Sequence, residues 1–164
     1  MAPLTRIQMV VCLQAVDLFA YCSAEQIVRI AGIARQRRFA RGQRIYSAND
    51  PAEALCCVVE GEVRLAVPAG GGRTIGPKGT FGVREILSDR LRGEEARAAA
   101  DSVVLVIDAD DFFDLLSNNI EIVKALFRQL LRQPRAAPRR EKEGGGGARE
   151  AEKVERPEQP LAAS

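Results

Sequence analysis

The sequence predicts a mainly β fold, a barrel or jelly roll flanked by helices. Three observations carry the prediction. Between residues 35 and 108, short apolar and β-branched runs alternate with turn residues at close spacing, the pattern of strands in a barrel or jelly roll. Before and after that region the apolar residues fall at helical spacing. The last stretch, 133–164, has only Val154 and Leu161 as larger apolar residues, four prolines and a Gly144–Gly147 run. It cannot bury enough surface to offset its ordering entropy, so a disordered tail is expected there.

At 164 residues the chain suits one domain with appendages. The expected division is an N-terminal helix over 1–17, a domain over 18–132 with its barrel in 35–108 and its C-terminal helices in 109–132, and the tail over 133–164. The 24 basic and 22 acidic side chains leave a net +2, too little for general attraction to nucleic acid or an anionic membrane. There is no histidine, which removes His-based acid–base catalysis, the Ser–His–acid triad and His metal ligation. The expectation is therefore a non-enzymatic protein with no metal. Cys12, Cys22, Cys56 and Cys57 include no CxxC pair and read as small buried apolar residues. Gln8, Gln14 and Asp17 interrupt the apolar N-terminal run, so neither a membrane span nor a secretory signal is expected, and the setting reads as cytoplasmic and reducing.

In chain order, Leu4, Ile7, Val11 and Ala15 lie at helical spacing, with Val10 beside them, and form the expected apolar face of a first helix. Asp17 to Tyr21 is a break anchored by Leu18, Phe19 and Tyr21. Ser23 then opens a second helix through the capping box Ser23-Ala-Glu-Gln26, with Ile27, Ile30 and Ala31 as its stripe. From Arg35 the period changes. Phe39, Ile45 and Tyr46 stand between turns at Gly42 and Asn49-Asp50-Pro51, and ALCCVVEGEVRLAV reads as two strands joined at Gly61. Cys56 and Cys57, adjacent in a strand, are expected on opposite faces. A short helix near Val83 to Asp89 splits the strands, and VVLVID follows it. Asp108 to Asp111 begins the next helix, with Phe112, Phe113, Leu115 and Leu116 as its buried side. After Asn118-Asn119, Ile120, Val123, Leu126, Phe127, Leu130 and Leu131 form a broad apolar face, expected mainly to pack on the barrel and in part to serve as a lid or a dimer seam.

FARGQRIYSANDPAEALCCVVEGEVRL, GPKGTFGVREIL and VVLVIDADDFFDLL, in that order and spacing, resemble the cyclic-nucleotide-binding domain of the catabolite-activator type from about Leu18 to Leu131. The resemblance implies a jelly-roll barrel, a regulatory role, and cyclic AMP or cyclic GMP as ligand with no other cofactor. It places ligand-binding positions at Phe81, Gly82, Ile86, Leu87, Arg92 and Gly93, with Arg92 as the phosphate-binding arginine. The family's ribose-binding glutamate falls on Val83, and small residues after its arginine fall on Gly93, Glu94 and Glu95.

Val83 cannot accept a hydrogen bond, and leaving the ribose hydroxyl unpaired costs about 1–3 kcal/mol. Carboxylates at Glu94 and Glu95, if about 4–6 Å from a phosphate, oppose it by roughly another 1–4 kcal/mol. An Arg92 paired with either glutamate has its anion site filled from within, whereas Glu85 is expected to point elsewhere.

The functional expectation is a regulatory module that senses a cyclic nucleotide or other small anion and relays it through residues 109–132. The alternative is a degenerate domain that binds no cyclic nucleotide and serves as an interaction scaffold. A protein partner or a homodimer through Ile120–Leu131 is compatible with both. No helix-turn-helix is expected, because the tail lacks the apolar residues to build one.

Overall fold

The computed structural model describes residues 2–132. The tail expected over 133–164 lies outside the described residues. Thr5 opens α1 (Arg6–Gln14) with a capping box: the Gln8 N–H donates to the Thr5 hydroxyl at 3.2 Å, and the Thr5 N–H donates to Gln8 Oε1 at 2.8 Å. A single 3-10 turn, Asp17–Phe19, buries Leu18 and Phe19. Ser23 and Gln26 cap α2 (Ala24–Ile33) in the same reciprocal way, as the sequence predicts.

Eight strands and one short helix follow: β1 (Ala34–Phe39), β2 (Arg44–Tyr46), β3 (Ala54–Glu60), β4 (Val63–Ala66), β5 (Gly72–Ile75), β6 (Thr80–Phe81), α3 (Val83–Leu87), β7 (Glu95–Ala98) and β8 (Ser102–Asp108). The chain closes on α4 (Ala109–Ser117) and α5 (Ile120–Arg132). The strands form two antiparallel sheets, ordered β1-β8-β3-β6 and β2-β7-β4-β5. No ladder joins the two sheets among the described residues, so hydrogen bonding does not close them into a barrel. The coarse prediction stands as mainly β sheets with flanking helices.

Two cores hold these layers. Phe39, Cys56, Val58, Phe81 and Val104 of the first sheet meet Val63, Leu65, Ala96 and Ala98 of the second. The other face of the first sheet, Leu55, Cys57, Leu105 and Ile107, packs under Leu13, Phe19, Ile27, Ile30, Phe112 and Ile122. Both faces of β3 and β8 are therefore covered, which is why their runs are continuously apolar rather than alternating. Cys56 and Cys57 fall in different cores, as strand geometry requires. Gly61, at φ +85°, makes the β3–β4 turn, where a Cβ would collide with the Asp101 carbonyl oxygen.

Three expected apolar faces are placed differently. On α1, Ile7 and Val11 are exposed, while Leu13 is buried and Met9 and Val10 pack beside it. The helix turns the other side to the core because Leu13 and Val16 must meet α2 and the 3-10 turn. On α4, Phe112 is buried and Phe113 is exposed. On α5, Ile122, Ala125 and Leu126 make the packed side, and Ile120, Phe127 and Leu131 face outward. Asp108 stands at the α4 N-cap without a side-chain cap bond; its carboxylate lies 3.8 Å from Arg35 instead.

Candidate functional site

The cassette runs from β6 through α3 to β7. Phe81 is buried between the sheets, opposite Cys56 on β3. Gly82 takes φ +81° as the residue before α3, and a Cβ there would stand 2.5 Å from Arg92 Nη1 and 3.1 Å from the Ala54 carbonyl oxygen. Glycine is needed at this point both for the backbone angle and for the space. Ile86 is buried with the helices, Leu87 is half exposed, and Gly93 has open space around it.

Arg92 is the centre of the arrangement, at only 4% exposure. Its Nη1 donates to the Gly82 carbonyl at 3.0 Å and its Nη2 to the Ala54 carbonyl at 2.5 Å. Its main chain is tied as well: the Arg92 N–H donates to Asp50 O at 2.9 Å, and the Asn49 N–H donates to Arg92 O at 2.6 Å. One residue thus joins the two ends of the cassette to the turn before β3. The nearest carboxylate is that of Glu85, 3.9 Å from Nη1. Glu94 instead pairs with Arg73 at 3.5 Å, and Glu95 with Arg44 at 3.3 Å and Arg97 at 2.9 Å. The expected internal partner is therefore corrected from Glu94 or Glu95 to Glu85. Arg92 folds back to the start of α3, within reach of Glu85, while Glu94 is held by Arg73 of β5, and Glu95, at the start of β7, by Arg44 of β2 and Arg97 of its own strand.

Tyr46 and Ala54 were not foreseen as part of this cluster. The Tyr46 ring lies under the Arg92 guanidinium, and burial pushes its phenol well above the usual range, with the nearby guanidinium acting in the opposite direction. Tyr46 Oη and Arg92 Nε are buried without hydrogen-bond partners among the described residues. A single tyrosine in a strand carries no sequence signal for that pairing.

Two cavities flank the cluster. The smaller, about 310 Å³, is lined by Tyr46, Cys56 and Arg92 among others. The larger, about 830 Å³, is lined by Phe81, Gly82, Val83, Leu87, Gly93 and, from α5, Leu130. Of the six expected ligand positions, four reach the larger cavity, Arg92 lines the smaller one, and Ile86 belongs to the core. Among the described residues no cluster of His, Cys, Asp and Glu could hold a metal ion, and no helix is long and apolar enough to cross a membrane.

A profile of the family described as "Cyclic nucleotide-binding domain" matches residues 36–119, and the chain belongs to that family. The N-terminal domain of a transcriptional regulator from Streptomyces coelicolor is 27% identical, with a TM-score of 0.64 covering 74% of this chain and 90% of that one. The catabolite activator protein of Thermus thermophilus is 26% identical, with a TM-score of 0.61 covering 71% of this chain and 57% of that one. A Rhodopseudomonas palustris protein, provisionally named a potassium channel, is 27% identical over 114 residues, 68% of this chain. The match spans 28% of that relative's length.

Proposed function

We propose that the chain is a non-enzymatic regulatory module that senses a small anion beside α3 and relays its presence through α4 and α5. Family membership supports the regulatory sensing. Leu130 supports the relay, since it puts α5 on the wall of the larger cavity, where a ligand can favour one helix position over another. The two sheets sharing one core support a jelly-roll arrangement, and we assign the sensing unit to residues 18–132. Four free cysteines fit a reducing, cytoplasmic setting.

Cyclic AMP and cyclic GMP are poor fits to this copy of the domain. The burial of Arg92 carries that reading: its terminal nitrogens are spent on two backbone carbonyls, so a phosphate must displace bonds already made. Val83, in the place of a ribose acceptor, acts in the same direction. Isothermal titration with both nucleotides at millimolar concentration is expected to give no heat. Saturable binding, lost in Arg92→Ala with the fold intact, would restore the family's ordinary ligand.

A second reading, an interaction scaffold without a ligand, has its own observation. Ile120, Phe127 and Leu131 are 63%, 60% and 83% exposed on α5, an apolar face open to a protein partner or a second copy. Sedimentation of the chain against Phe127→Ser tests it; association that is unchanged by the substitution removes this face from consideration.

A further inference from the structure

We infer that the larger cavity takes a medium-chain acyl carboxylate, its tail on the leucines of the cassette and its head on Arg84 and Arg90. The inference rests on the sensing reading above and names the ligand class for it.

The apolar half comes from the wall. Leu87 and Leu91 line the cavity while 45% and 59% exposed, beside buried Phe81 and Val83 and beside Leu130 of α5. Leucines left in contact with water inside a recess gain free energy when an apolar body covers them. The charged half comes from the balance of ion pairs. Glu85 and Glu94 line the same cavity, but each already lies near a guanidinium: Arg92 at 3.9 Å and Arg73 at 3.5 Å. Arg84 and Arg90 also line it and have no such partner among the described residues. The uncompensated charge at the cavity is therefore positive.

These two features select one chemistry. An inorganic anion leaves the leucines wet, and a neutral lipid leaves the arginines unused. A nucleotide finds a valine where its sugar needs an acceptor, and Arg92 does not line this cavity. A single carboxylate on an unbranched apolar chain satisfies both halves. Through Leu130, a bound chain also touches α5 directly.

The test is calorimetric titration of the full chain with hexanoate, octanoate and decanoate, with octan-1-ol as the neutral control. Octanoate is expected to bind saturably, with affinity rising about two- to four-fold per methylene. Octan-1-ol is expected to bind at least about five-fold more weakly. The double variant Arg84→Gln, Arg90→Gln should weaken octanoate by about the same factor and leave octan-1-ol unchanged. Leu91→Ser should weaken both, and thermal melts should show the variants folded. No saturable octanoate binding, equal binding of octan-1-ol, or indifference to all three substitutions overturns the proposal. If another anion binds instead and shifts α5, only the carboxylate class is lost. If octanoate binds as expected while hydrogen exchange in α4 and α5 stays unchanged, the sensing reading falls and the site remains.

Discussion

The guanidinium carbon of Arg92 lies 4.2 Å from the centroid of the Tyr46 ring. That stack completes a cage whose other walls are the Gly82 and Ala54 carbonyls and, at longer range, the Glu85 carboxylate. A side chain that the family resemblance reserves for a ligand phosphate is here held by the protein itself.

Arg92 should therefore behave as a structural residue. Arg92→Ala strips the buried Gly82 carbonyl and the part-buried Ala54 carbonyl of the Arg92 donor and leaves Glu85 without its cation, and should cost about 3 kcal/mol or more. Arg92→Lys should recover only part of this, because an ammonium cannot reproduce the planar fork. Urea denaturation with an unchanged m-value is the measurement. A loss within about 0.5 kcal/mol for the alanine variant would mean the side chain is free in solution.

Tyr46 separates the ring from its hydroxyl. The ring stacks on Arg92 and sits 6.1 Å from Phe81, whereas Oη is buried without a partner among the described residues. Tyr46→Phe should leave stability within about 0.5 kcal/mol or raise it slightly, since nothing bonded is removed. Tyr46→Leu loses the stack and should cost about 1–2 kcal/mol beyond the phenylalanine variant. Equilibrium unfolding of the two side by side settles the order.

Gly82→Ala should disturb the cage from the opposite end. It forces a side chain into a left-handed backbone and sets a methyl 2.5 Å from Arg92 Nη1. A loss of about 1–3 kcal/mol is expected, together with faster amide exchange in α3. Unchanged exchange in α3 would show that Arg92 moves aside at no cost.

The cysteines predict a loss of stability in alkali. Burial raises the Cys22 thiol from its ordinary 9.0 to about 11 and Cys56 to about 12, and raises Cys57 further. Well below pH 9, at about pH 7 and under, the thiols are protonated in both the folded and the unfolded chain, and the contribution is whole. As pH climbs from 9 through 11, the unfolded chain releases protons that the folded chain retains, and stability falls. The urea midpoint should drop between pH 8 and pH 10, and the thiolate absorbance of the folded chain should stay low over that span. Cys22→Ala should flatten part of the drop.

What the sequence revealed was local. The Ser23–Gln26 box, the turn at Gly61 and the opposed faces of Cys56 and Cys57 each follow from residues close together in the chain, and all appear in the structure. Gly82 and Arg92, which the resemblance brings together, do meet in the structure, the guanidinium donating to the Gly82 carbonyl. What was not legible depends on distant partners. The face of α1 expected from Ile7 and Val11 is the exposed one, and the buried residue is Leu13, which meets α2 and the 3-10 turn, partners that the helix's own spacing does not reveal. Phe113 reads like Phe112 until the neighbouring layer is known. Glu85, on its short helix, was expected to point elsewhere, but Arg92 reaches back to the Gly82 carbonyl at the start of that helix and so comes within 3.9 Å of it.

Cys56 and Cys57 are neighbours in the chain with separate surroundings, one between the sheets and one beneath the helices. Their strand works as a partition, and a change of side-chain volume on one side reaches the other only through the backbone. Trimming both thiols should thus cost the sum of trimming each, although adjacent positions usually interfere. A change of volume at Cys57 is felt first by the helices packed on that side, and one at Cys56 by the second sheet.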